Sequence, residues 1–134
     1  MIADKALKIL KINKLRLTKQ RISLVSNIFK FGNRHINADS LHNEMTDNGV
    51  KVSLATVYNT LHDLTKVGLL RHVKVNSNQN YFDTNIDAHH HFYDESNNSL
   101  IDISKEKINI KDIPLPPENK KISEVEVIIS IKNK

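Results

Sequence analysis

Three of the chain's seven histidines are consecutive: His89, His90 and His91. In an extended strand alternate side chains share a face, so His89 and His91 point the same way with Tyr93, and His90 joins Phe92 on the other side. A His-x-His pair on a strand is a ready two-nitrogen chelate. Asp102 lies on the segment expected to pair with it, Asp83 just ahead of it, and His35 in the earlier, more basic part of the chain. Three imidazoles and two carboxylates suit a divalent first-row ion such as Fe, Mn or Zn. The chain contains no cysteine, which excludes disulfides, a cysteine nucleophile and every thiolate zinc site. A hydrolytic metal centre needs the same residue types together with an open coordination position and a substrate cradle. With three glycines and no nucleophile elbow or phosphate loop, the expectation is not an enzyme; a metal-dependent hydrolase is the lesser alternative.

The elements that must position these residues change period along the chain. Residues 1–68 read as four short helices. Ile2, Ala6, Ile9 and Leu10 form a first apolar stripe, and Ile22, Val25, Ile28 and Phe29 a second one behind Thr18, a suitable N-cap. A third helix from about Asn37 uses Leu41 and Met45. A fourth, capped by Ser53, aligns Leu54, Val57, Leu61 and Leu64 and ends at Gly68. Residues 69–75 and 79–83 then read as a hairpin turning through Asn76, Ser77 and Asn78, and HHHFYDE with LIDIS as a second hairpin turning at SNNS. Residues 104–121, with three prolines, read as a loop holding at most one helical turn. The last strand, SEVEVIISIK, is expected to bury Val125, Val127, Ile129 and Ile131 on one face, opposite Glu126, Ile128 and Ser130. The fold expected is α+β: helices followed directly by a small hairpin suit a winged helix and a plain helical domain with a hairpin equally, and the three-stranded rear unit is too short to bury a good core alone and so pairs with another copy.

Charge follows the same division. Residues 1–75 carry 13 Lys and Arg against 5 Asp and Glu, whereas residues 76–134 carry 7 against 10. A basic front and mildly acidic rear suit a polyanion partner for the first half only. On the fourth helix the outward face holds Ala55, Thr56, Asn59, His62, Asp63 and Lys66, with Tyr58 on the flank. Asn can pair with adenine, while Ala, the Thr methyl and the Tyr ring can meet thymine methyls, so the set from Ser53 to Asn59 favours an A·T-rich duplex. Arg16, Lys19, Arg21 and Lys51 are the candidate phosphate contacts, with Arg16 also placed to enter a minor groove. Lysines interrupt the apolar N-terminus and the longest aliphatic run is only Val127 to Ile129, so no membrane span or export signal is expected and the cytoplasm is the expected compartment.

These residues resemble a known family. The segments LRLTKQRISLV, RHINADSLH, VSLATVYNTLHDLTKVGLL, NYFD and HHHFYDE follow in order the pattern of the ferric uptake regulator family of bacterial transcription factors, over about Leu7 to Ile131. HHHFY followed by LIDI, PLPPENKKI and a valine-rich last strand look most like its iron response regulator branch. The resemblance implies a winged-helix DNA-binding domain over 1–84 and a small α/β dimerisation and sensing domain over 85–134, a homodimer on double-stranded DNA, thymine contacts by Tyr58, a minor-groove role for Arg16, and a regulatory metal on His35, Asp83, His89, His91 and Asp102. Asn59 stands where the family commonly has Arg, the cysteines of the family's structural zinc are missing, and Ala88 replaces a histidine of a second metal site. The branch also implies haem at His89, His90 and His91, imidazole being a suitable axial ligand, whereas the aspartate-containing set resembles that of peroxide-sensing relatives.

Overall fold

The computed structural model describes residues 2–76 and 79–134, with only the backbone of Ile2; Ser77 and Asn78 of the expected turn, and the Ile2 side chain of the first stripe, therefore lie outside the described residues. The chain divides into two compact units, 1–86 and 87–134. Together they give the expected α+β class, four helices and two small sheets among the described residues.

Unit 1 carries helices α1 (Ile2–Ile12), α2 (Lys19–Ile28), α3 (Ala38–Asp47) and α4 (Leu54–Lys66), and strands β1 (His35–Ile36), β2 (Arg71–Asn76) and β3 (Gln79–Asp83). Local chemistry sets the helix ends. Thr18 Oγ1 accepts from the Arg21 amide, Ser53 Oγ from the Thr56 amide, and Asn37 closes a reciprocal capping box with Ser40. Gly68, at φ +82°, takes the left-handed turn that ends α4 and returns the Leu69 amide to the Leu64 carbonyl. Ala6, Leu10, Leu24, Val25, Ile28, Leu41, Met45, Val57, Leu61, Leu64 and Phe82 make one buried core.

Two expected core positions are corrected. Ile22 is 41% exposed and Leu54 40% exposed. Helix α2 packs against both α1 and α4, which buries Leu24 and leaves Ile22 at the margin. Leu54 opens α4 ahead of the core, and Thr60 is buried in its place with its hydroxyl donating to the Thr56 carbonyl. Strand β1 was not expected, being too short to show a period. It adds to the hairpin edge to give the sheet order β1-β3-β2, with His35 opposite Asp83.

Unit 2 is a three-stranded sheet of order β5-β4-β6, where β4 is His90–Asp94, β5 Ser99–Ile103 and β6 Ile128–Ile131. The β4–β5 hairpin is antiparallel, and β6 returns parallel to β4. Between them the proline-containing stretch forms only a 3-10 turn at Lys105–Lys107. The last strand is shorter than its alternation predicts and buries differently: Ile129 and Val125 are exposed, Ile128 and Ile131 half-buried. Among the described residues strand β6 is an edge with β4 as its one neighbour, and its Ile129 is 39% exposed. The buried residues here are His89, His90, His91, Tyr93, Leu100 and Ile103, an interior half made of imidazole.

Candidate metal centre and nucleic-acid face

In unit 2 the antiparallel register sets His91 opposite Asp102. Asp102 Oδ1 lies 3.1 Å from His89 Nε2 and 3.3 Å from His91 Nε2, and the two rings are 4.4 Å apart between centroids. Each ring is held by its other nitrogen. His89 Nδ1 is 2.5 Å from the Asp87 carbonyl, and His91 Nδ1 is 3.0 Å from Glu126 Oε1. A ring nitrogen that donates to a carbonyl or carboxylate fixes the tautomer and leaves the other lone pair as the metal-facing one. Two oriented imidazoles and one carboxylate oxygen thus converge, as a half-coordinated first-row ion requires. His90 faces the other side of the strand, where its Nδ1 accepts from the Val127 amide at 2.9 Å. That nitrogen is occupied, so the histidine run is a pair plus one structural residue and not a three-imidazole face.

Unit 1 supplies a second, smaller donor pair. His35 Nε2 sits 3.1 Å from Asp83 Oδ2, while the other oxygen of Asp83 accepts from the Asn85 amide at 2.9 Å. Asp83 is buried and His35 half-buried. The pair exists because β1 joins β3. Beside it Arg34 is tied to Thr84 through both backbones, and its guanidinium forks onto Glu44 at 2.6 and 3.1 Å. Hydrogen bonding from Arg34 holds the Glu44 carboxyl below its ordinary 4.5, against the opposing effect of burial.

The outward face of α4 is as the helical wheel predicts. Ala55, Tyr58, Asn59, His62 and Lys66 are exposed, Thr56 and Asp63 half-buried. Ser53 is engaged as the cap, its Oγ also 2.9 Å from Thr56 Oγ1. Tyr58 stacks on His62, whose ring meets the edge of Phe82, and Phe82 in turn stacks on His72. This row of rings joins the outward face of α4 to the β2–β3 wing. Arg16, Lys19 and Lys51 are exposed. Arg21 is not equivalent to them. Its guanidinium lies 2.8 Å from Asp63 and also donates to the Arg16 carbonyl at 3.2 Å, so it neutralises the carboxylate on the outward side of α4.

Sequence reasoning missed Glu126 and the Arg21–Asp63 pair. The first was visible in period two, since Glu126 shares a face with Ile128, and Ile128 is the cross-strand neighbour of His91. The second joins two helices, and no spacing rule reaches that far.

Known proteins share this fold. The ferric uptake regulator family matches residues 12–130. The peroxide-responsive repressor PerR of Staphylococcus aureus is 23% identical over 95 residues, covering 71% of this chain; the chain spans only 64% of that relative's length. Among solved structures, the ferric uptake regulator of Pseudomonas aeruginosa, described with manganese, superposes with a TM-score of 0.66 at 19% identity, over 93% of this chain and 95% of that one. The Helicobacter pylori regulator, described as having three functional metal binding sites, gives 0.70 at 16% identity, over 99% and 89%.

Proposed function

The chain belongs to the ferric uptake regulator family of metal-responsive transcriptional regulators, and from that premise we propose that it binds an A·T-rich dyad operator as a homodimer under control of one divalent ion. The observation that carries the proposal is the convergence of His89 Nε2, His91 Nε2 and Asp102 Oδ1, with both histidines held by their opposite nitrogens. The proposal assigns five residues to the ion, His35 and Asp83 from unit 1 joining His89, His91 and Asp102 from unit 2, as the family resemblance implies. Held by both sets, an ion would cross-link the DNA-reading and dimerising parts, and so bias whether two recognition helices reach successive half-sites.

For the DNA, Tyr58, Asn59, Ala55 and Thr56 read bases, with Ser53 shaping the helix start, and Arg16, Lys19 and Lys51 hold phosphates. Arg21 acts by cancelling Asp63. Homodimerisation is supported by the apolar residues that the 48-residue unit 2 leaves exposed, among them Ile101, Ile113, Leu115, Ile122 and Ile129. Iron homeostasis is the proposed setting, and the all-nitrogen-and-oxygen donor set suits Fe(II) or Mn(II). A second reading, peroxide sensing through that iron, is favoured by the likeness to peroxide-responsive repressors. Haem on His89, His90 and His91 is the less supported cofactor, because His90 is engaged with the Val127 amide.

The deciding experiment titrates the protein with Fe(II), Mn(II), Zn(II) and haem while following binding to an A·T-rich dyad and to a scrambled duplex. A change in dyad affinity with the ions that Asp102→Ala removes is expected. Indifference to every ion, or equal binding of both duplexes, overturns the proposal; a haem response lost with His90 would move the sensor to the histidine run.

A further inference from the structure

The stretch leading into β6 is fastened to the metal strand at two successive residues. Glu126 Oε1 accepts from His91 Nδ1 at 3.0 Å, and the Val127 amide donates to His90 Nδ1 at 2.9 Å. The Val127 carbonyl in turn accepts from the His91 amide at 3.1 Å. His91 is fully buried and the Glu126 side chain only 18% exposed, so the carboxylate–imidazole contact is largely shielded from water. Residues 108–127 form no regular element on their way to it. Nothing in the donor geometry of Asp102 or His89 requires Glu126; its place is behind the ring, on the nitrogen that faces away from Asp102.

We propose that Glu126 is the positioning residue of the metal centre, holding His91 in the tautomer that presents Nε2, and that through it metal loading and the docking of β6 are thermodynamically linked. The inference rests on the metal reading above. A carboxylate behind a metal-ligating histidine orients the ring and raises its basicity. Because Glu126 is covalently continuous with β6, whatever strengthens its bond to His91 also tightens the edge strand, and by reciprocity a detached β6 weakens the ion's site. The face that β6 carries outward includes Ile129, so the linkage gives the ion a hold on an apolar surface of unit 2 that none of its ligands provides.

The test uses the full chain with Mn(II) alone, counting free ion by electron paramagnetic resonance and following hydrogen exchange at the amides of residues 127–131. Wild type should bind the ion and slow exchange at those amides on loading. Glu126→Ala should lose about 10- to 100-fold in affinity, the range for removing such an outer carboxylate, and should lose most of the metal-induced protection. Glu126→Gln keeps an acceptor for Nδ1 and should recover most of the affinity. Far-ultraviolet circular dichroism of each metal-free variant checks folding, and the Gln variant carries the test where the Ala variant fails that check. Unchanged affinity in Glu126→Ala, a Gln variant as weak as the Ala one, or protection independent of residue 126 overturns the inference. If wild type takes up no Mn(II), Fe(II) or Zn(II), the metal reading itself falls, which is a separate outcome.

Discussion

On the proposed reading of α4 as the DNA-contacting helix, removing its acidic group should strengthen binding in a salt-dependent way, and the Arg21–Asp63 pair fixes by how much. The two side chains are 15% and 28% exposed and 2.8 Å apart, and Arg21 is additionally anchored on the Arg16 carbonyl. With Asp63 ionised the pair brings no net charge to the face. Asp63→Asn leaves the guanidinium in place, still anchored, as one uncancelled positive charge beside Arg16 and Lys19. Each phosphate neutralised on duplex DNA steepens the log affinity against log salt plot by about 0.9, so the variant should gain about that much per protomer and about 1.8 per dimer. Between 50 and 200 mM salt that amounts to about a 12-fold larger loss of affinity than wild type shows, from a tighter starting point. The structural cost is small, since partly exposed pairs are worth about 0.2–1 kcal/mol and Asn can keep one hydrogen bond. Fluorescence anisotropy across a salt series reads the slope. A scrambled duplex should show the same increment, because phosphate contacts carry no base information. An unchanged slope, or weaker binding at low salt, would refute the idea that Arg21 is held in reserve by Asp63.

Three further outcomes follow from the geometry. Phe82→Ala empties a buried site between His62 and His72 and should cost about 3–5 kcal/mol in urea unfolding monitored on unit 1. Glu44→Gln should lower stability by about 0.5–1 kcal/mol at neutral pH, discounted for partial exposure; because the folded carboxyl lies below its unfolded value of 4.5, the gap from wild type is fully present above that pH and closes as pH falls through the lowered folded value. Asp102→Ala, at a residue 43% exposed, should leave the metal-free melt nearly unchanged while removing most of the about 2.7 kcal/mol that an ion at a hundred times its dissociation constant gives wild type.

The helical half was legible because caps and stripes are local. Thr18, Asn37, Ser53 and Gly68 mark ends that the structure keeps, and the Leu41, Met45, Val57, Leu61 and Leu64 positions are core as their spacing predicts. Ile22 and Leu54 failed because periodicity identifies a face without saying how far a neighbouring helix reaches across it. Strand β1 was invisible, since two residues have no period, yet it is what brings His35 to Asp83. In the rear half alternation separated His90 from His89 and His91. It misjudged the last strand, where burial depends on whether a neighbour exists rather than on the pattern. The third donor, Asp102, was within reach of hairpin register, whereas period two gave the face of Glu126 but not its partner, which needed the parallel return of β6, a pairing across 37 residues for its Val127 neighbour.

The imidazole-rich interior of unit 2 changes how substitutions there are to be interpreted. His89, His90 and His91 are space-fillers as well as donors, packed where a small unit would ordinarily place leucine or valine. Alanine at His91 excises a ring with no solvent exposure, strands the Glu126 carboxylate and opens a void, so a lost response would report collapse and lost ligation together. A ligand scan of this protein is therefore interpretable only from its periphery inward: at Asp102 first, where the oxygen can go without a hole, and at the histidines by residues of similar volume.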